Sequence, residues 1–158
     1  MKRYRLRKKE LKNLIEFMNE YFEINIENYR IDLIEYDKFK LLKGEEIFAF
    51  YVDNKPYLTV RGVLKYRPEK KHVTIDMGAV KFITNGADVM APGIVEVDPY
   101  IKEGDVVWIR DEINRKPLAI GRALVDAEKM VEEEKEGRKG KVIKNLHYVG
   151  DKIWNLEK

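Results

Sequence analysis

Side chains able to attack a substrate or hold a metal are scarce in this chain, and the few present are scattered. Serine, cysteine and glutamine are absent from its 158 residues, and threonine occurs only at positions 59, 74 and 84. Without Ser or Cys there is no Ser-His or Cys-His nucleophilic pair. His72 and His147 stand far apart in the chain, outside any HExxH-type spacing that would set two imidazoles on one metal. Asp76, Asp88, Asp98 and Asp105 are carboxylates beside turns and helix starts, where Asp serves as a cap. There is no P-loop and no GxGxxG run. The expectation is a non-enzyme with no catalytic residue, no metal site and no cofactor.

Binding chemistry is better represented. Residues 76–93 read DMGAVKFITNGADVMAPG, with Gly78, the pair Asn85-Gly86 and the pair Pro92-Gly93 as turn formers. Glycines here leave backbone amides open to a ligand, with no Cβ in the way. A compact site of that kind suits nucleic acid better than a small metabolite, although glycines that merely turn a barrel would give the same spacing. Arg61, Lys65, Arg67, Lys70 and Lys71 crowd around Tyr66 and Pro68, a mixture that holds phosphates and stacks a base, or else solvates a linker. The first twelve residues add seven Lys or Arg against one Glu, an arm that attracts phosphates in a salt-dependent way.

The elements that position these residues follow from periodicity. Leu11, Leu14, Ile15, Met18 and Phe22 recur at three- and four-residue spacing, the stripe of an amphipathic helix beginning near Lys8. Alternation around Leu33 and around Phe39 and Leu41, then the apolar run from Ile47 to Val52, read as strands. Asp53-Asn54-Lys55-Pro56 reads as a hairpin turn into a strand from Tyr57 to Val60. Within the central stretch, Ala79, Phe82 and Ile83 fall on one face of a short helix stopped at Asn85-Gly86, and a strand runs from Ala87 to Ala91. Later strands are expected at Val106 to Ile109, Leu118 to Val125 (with Gly121 at a bulge or close approach) and Val142 to Val149. Trp108 reads as core, Ile153 and Trp154 as packing for the last strand, and residues 127–141 as a solvated charge run.

Charge is unevenly spread. Residues 1–72 carry 17 basic against 12 acidic side chains, and residues 73–158 carry 14 against 16, so the first part is net +5 and the second net −2. RNA contact in the second half would need a local basic face. Charged residues make up 37% of the chain, and the excess of Lys and Glu is the composition associated with hyperthermophiles. No run of 18 apolar residues occurs, and the basic start MKRYRLRKK lacks the apolar segment of a signal peptide. A soluble, cytoplasmic protein with no membrane partner is expected.

The segments DMGAVKFITNGADVMAPGI and KVIKNLHYVGDKIWNLE resemble the core and closing strands of a PUA domain, an RNA-binding module. Their order, with a Pro-Gly turn and a terminal HY…W run, is similar to the archaeal type of the malignant T-cell-amplified-sequence family of translation factors. The resemblance implies an α+β protein. A small N-terminal α/β pre-PUA domain, residues 1–72, would precede a mixed β pseudo-barrel with short helices, residues 73–158. It implies RNA binding through Gly78, Lys81, Asn85, Gly86, Pro92, Gly93, Lys144, His147 and Tyr148, with the Arg61–Lys71 cluster as an auxiliary site. The partners implied are tRNA or rRNA, the small ribosomal subunit, and a protein similar to the density-regulated protein, in initiation or recycling. Two alternatives share the domain order. One is a ribosome-biogenesis factor of Nip7 type. The other is a protein-interaction adaptor with a weak RNA site, using Leu33, Phe48 and Tyr57.

Overall fold

The computed structural model describes residues 1–27, 30–134 and 137–156. The chain divides into two compact units, Met1–Lys70 and Lys71–Leu156. His72, expected to end the first domain, instead opens the first strand of the second unit. Two residues of the expected charge run, Lys135 and Glu136, lie outside the described residues.

In the first unit, β1 (Lys2–Arg5), β2 (Asp32–Tyr36), β3 (Phe39–Lys43), β4 (Ile47–Val52) and β5 (Lys55–Leu58) form an antiparallel meander in chain order. Asp53 and Asn54 both have positive φ, 49° and 66°, between the paired Val52 and Lys55. That is a two-residue hairpin of type I′, whose twist matches the strands it joins. The helix α1 (Lys8–Phe22) forms as its stripe predicts, with Leu14, Met18 and Phe22 buried. Glu10 accepts the Arg7 N–H at 2.9 Å and closes a capping box at its start.

Three features of this unit depart from the sequence expectation. The basic arm is partly β1, an edge strand paired with β2. The strand expected from Tyr57 to Val60 stops at Leu58, because Thr59 Oγ1 accepts the Gly62 N–H at 3.1 Å and starts α2 (Val60–Tyr66). Phe48 and Tyr57, expected at a protein interface, are 2% and 8% exposed. Tyr57 stands edge-on to Phe17 and Tyr21, and Phe48 edge-on to Tyr66, so both belong to the core.

The second unit contains β6 (His72–Ile75), α3 (Met77–Ile83), β7 (Val89–Met90), β8 (Ile94–Val97), β9 (Val106–Asp111), β10 (Pro117–Ala123), α4 (Ala127–Val131), β11 (Lys141–Tyr148) and α5 (Lys152–Asn155). Its sheet runs β7-β11-β10-β9-β6-β8, with β6 and β9 parallel and the other neighbours antiparallel. The two edge strands, β7 and β8, are joined by a single 3-10 turn, Ala91–Gly93. Four peptide links reach about 14 Å, whereas the edges of a flat six-stranded sheet lie about 24 Å apart. The sheet must therefore curl until its edges meet, which is the pseudo-barrel expected. Val73, Ile75, Ile94, Ile109, Ala119, Val142 and Ile143 fill its interior.

Gly121 sits at the β10–β11 bulge. A Cβ there would come within 2.4 Å of Ile143 Cγ2 and 2.8 Å of the Lys144 carbonyl oxygen, so the strands meet as they do because no side chain intervenes. Trp108 is buried as expected, at 5% exposure. Ile153 and Trp154, read as packing for the last strand, lie on α5, which packs against β11 with Ile153 buried. The start of α5 is capped by Asp151 Oδ1 accepting the Trp154 N–H at 2.9 Å. The expected α+β class holds. Among the described residues no helix is long and apolar enough to cross a membrane.

Candidate functional site

Helix α3 is placed by a cap at one end and a glycine turn at the other. Asp76 Oδ1 accepts the Ala79 N–H at 2.9 Å, and Asp76 N–H donates to the Gly93 carbonyl at 2.9 Å. The second bond fastens the helix start to the 3-10 turn. At the far end, Gly86 has φ +94°, a left-handed conformation that a side chain adopts at a cost. A Cβ on Gly86 would lie 3.1 Å from Tyr148 Cε1. The absence of one lets the Tyr148 ring close under the loop.

An open cleft of about 460 Å³ runs beside α3. Its walls include Gly78, Ala79 and Phe82 from the helix, Val89 and Met90 from β7, Gly93 from the turn and Lys141 from β11. Ala79, Phe82 and Ile83 share one face of α3, as expected, and that face looks into the cleft. Ile83 is buried, whereas Phe82 is 57% exposed and Met77 and Met90 are 42% and 49% exposed, so the cleft presents an apolar rim to solvent. The Lys81 ammonium lies 5.2 Å from the centroid of the Phe82 ring. A flat ring with a cation over it, facing an open apolar cleft, can stack a planar group and pair its charge.

Two more cations flank the cleft. Lys141 Nζ pairs with Asp88 Oδ2 at 2.8 Å, and Lys144 is exposed three residues further along β11. Burial pushes the Asp88 carboxyl up. The Lys141 ammonium, the Asn145 N–H and the Lys144 charge outweigh burial and hold its pKa below the usual carboxylate value. Asn145 Nδ2 donates to the Ile83 and Ala87 carbonyls at 3.1 and 3.0 Å. It ties the helix end and loop to β11, a positioning role the sequence did not reveal.

The residues singled out from the sequence separate into groups. Gly78 and Gly93 line the cleft, and Lys81 stands at its rim beside Phe82. Pro92 is exposed in the 3-10 turn. Asn85 spends its side-chain N–H on the Lys81 carbonyl at 3.0 Å, so it closes the helix rather than reaching outward. Amides at the α3 start are likewise occupied: Met77 N–H donates to Glu112 Oε2 at 2.8 Å, and Ala79 N–H to Asp76. The two carboxylates there, Glu112 and Asp76, make the helix start unfavourable for an anion. Phe82, placed by the sequence only on a helical face with Ala79 and Ile83, is the exposed aromatic of the site.

His147, expected at the RNA site, is 1% exposed, and its Nδ1 lies 2.9 Å from Asp151 Oδ2, so its ring is held inside the fold rather than presented to solvent. Burial pushes the Asp151 carboxyl up, but the His147 ring and the Trp154 and Tyr148 N–H groups outweigh it and lower its pKa. In the Arg61–Lys71 cluster, Lys65 pairs with Glu45 at 3.7 Å, Lys70 with Glu23 at 3.0 Å and Lys71 with Asp105 at 2.8 Å. Arg67 is exposed past the end of α2, and Arg61 is half-buried within it. Pairing leaves this cluster much less cationic than its composition. Among the described residues no group of three His, Asp or Glu is arranged to hold a metal ion.

The PUA domain profile matches residues 71–149, half of the chain, and a domain of unknown function, DUF1947, matches residues 2–64. The chain belongs to the PUA-domain family. An uncharacterized protein of Methanocaldococcus jannaschii is 45% identical over 99% of this chain and 97% of its own length. Translation machinery-associated protein 20 of Eremothecium gossypii is 31% identical over 76% of this chain and 68% of its own length. Malignant T-cell-amplified sequence 1-B of Xenopus laevis is 30% identical over 73% of this chain, which spans 64% of the frog protein. These relatives bear out the family resemblance read from the central and closing segments. A crystal structure of a hypothetical protein from Pyrococcus horikoshii superposes with a TM-score of 0.84 at 32% identity, covering 99% of this chain and all of that one. The α3 cleft is therefore a feature of the PUA unit, and the five-stranded meander occupies the DUF1947 region.

Proposed function

We propose that this PUA protein is a non-catalytic RNA-binding component of the translation apparatus, and that the α3 cleft receives an unpaired nucleotide. The observation that carries this reading is Phe82, exposed at 57% beside the cleft with the Lys81 ammonium 5.2 Å from its ring. An unstacked base lies on such a ring, and the adjoining phosphates fall to Lys81, Lys141 and Lys144. Single-stranded ends fit the open cleft, whereas a duplex would not present a base face to it. The names of the relatives supply the context of translation. The finer reading is a tRNA acceptor end or rRNA on the cytoplasmic small ribosomal subunit, during initiation or recycling, beside a protein similar to the density-regulated protein.

The test is binding of the purified chain to total tRNA, with and without an intact 3′ CCA end, across a salt series. Tight binding that requires the CCA end is the expected result. Equal binding to both preparations would refute acceptor-end recognition. Co-sedimentation with pre-ribosomal particles instead of mature small subunits would favour ribosome assembly.

A further inference from the structure

The cations of the first unit are not distributed as a helix alone would place them. Helix α1 carries Lys8, Lys9 and Lys12 at its start and Glu20 near its end, with Glu23 as the C-cap residue. A helix dipole favours the reverse order, acids at the start and bases at the end. Glu10, the one acid in its first turn, is engaged by the Arg7 N–H. Lys8, Lys9 and Lys12 are all exposed, and no ion pair involves them among the described residues. This contrasts with Lys65 and Lys70 of the same unit, each paired with a glutamate.

A second feature adjoins them. Asp32, 8% exposed, opposes Arg5 across the β1–β2 ladder and accepts from Arg3 Nε and Arg5 Nε at 2.6 Å each. One carboxylate thus holds two guanidinium groups through their Nε atoms. Their side chains remain 53% and 58% exposed, and a guanidinium fixed at Nε still has its Nη donors for a phosphate oxygen. Two charges against one leave the trio cationic. Two residues, Leu6 and Arg7, join β1 to α1, so Lys8 begins within about 11 Å of Arg5. Lys8 and Lys12, one helical turn apart, share one face of α1 at about 6 Å spacing.

We propose that the β1–α1 surface is a second RNA contact that grips the phosphate backbone without reading bases. It rests on the reading of the protein as RNA-binding and adds a partner for the DUF1947 region. Arg3 and Arg5 supply oriented donors, and Lys8, Lys9 and Lys12 supply mobile charge. Nothing in this set discriminates one base from another, so the contact contributes affinity and salt dependence while sequence or end preference stays with the PUA unit.

The experiment compares the full chain with the triple variant Lys8→Gln/Lys9→Gln/Lys12→Gln, the pair Arg3→Gln/Arg5→Gln, and Phe82→Ala. Binding to a fluorescent single-stranded RNA is followed by anisotropy across a salt series, with unfolding midpoints as a control. Each lost phosphate contact lowers the log–log salt slope by about 0.7, so the triple variant should lose about 2 in slope and about a hundredfold in affinity near 0.1 M salt. Should the Arg3/Arg5 pair loosen β1 and lower the midpoint, the lysine variant alone decides, because its side chains are exposed. A folded triple variant with unchanged slope and affinity overturns the proposal and leaves the surface to an acidic protein segment. Full affinity in Phe82→Ala together with a reduced slope in the triple variant would sink the cleft reading and keep this one.

Discussion

Replacing Phe82 by Ala separates a packing residue from a binding residue, because the ring is 57% exposed yet lines the α3 cleft. Loss of an exposed side chain away from caps and core shifts stability by about 0.5 kcal/mol or less. Loss of a stacked base costs about 1 to 3 kcal/mol. At about 1.4 kcal/mol per tenfold, that is a Kd weakened about 5- to 150-fold. The Lys81 ammonium loses its ring at the same time, an intramolecular contact of about 0.5 kcal/mol at an exposed site that bears on stability and not on Kd. Anisotropy with a labelled tRNA, in parallel with urea unfolding, reads both quantities on one preparation. Phe82→Trp, which preserves a stacking face, should bind at least as tightly as the parent. Affinity within twofold of the parent for Phe82→Ala, at unchanged stability, would refute base stacking in the cleft.

Lys81→Ala combined with Lys144→Ala should weaken tRNA binding and lower the log–log salt slope by about 1.4, read from the same titrations. Gly86→Ala forces a Cβ into φ +94° and to 3.1 Å from Tyr148 Cε1, and should cost about 1 to 2 kcal/mol in denaturant unfolding. Asn145→Leu removes the donor to the Ile83 and Ala87 carbonyls and should cost about 1 to 3 kcal/mol, with RNA affinity falling as α3 loosens. Asp32, Asp88, Glu96, Asp111 and Asp151 all have depressed folded pKa values. Their contribution is full above the ordinary carboxylate range and is lost as pH falls through the folded values. Unfolding midpoints should therefore hold near neutrality and drop below about pH 4. Asp151→Asn should shallow that drop, and an unchanged profile would remove Asp151 from the set.

Much of the site was legible because its signals are local. The cap at Asp76, the left-handed turn at Gly86 and the 3-10 turn around Pro92 are each decided by residue types within a few positions. The stripe of α1 and the bulge at Gly121 are equally local. What the residue types left open depends on burial and on which partner claims each side chain. Asn85 was expected to face a ligand, but its own helix end claims its amide. His147 is buried and Phe82 is exposed, because the curl of the sheet and the packing of α3 decide which side chains face solvent. The Arg61–Lys71 run looked cationic until Glu45, Glu23 and Asp105, each at least twenty residues away, met its lysines. Conversely, the arm of residues 2–12 kept its charge, and no local pattern revealed that Asp32 would hold two of its arginines.

The sequence by itself determined the α+β class, the family, the absence of Ser and Cys nucleophiles, and the turns and caps that bound α3. The class and the family follow from the resemblance carried by the central and closing segments, and the rest from composition and backbone preference, which act over a turn or two of chain. Tertiary structure alone decided which cations remain available and which aromatic ring faces solvent. Ion pairing and burial are set by the register of strands and the closure of the sheet. Two edges joined by three residues force that closure, and with it the cleft beside Phe82.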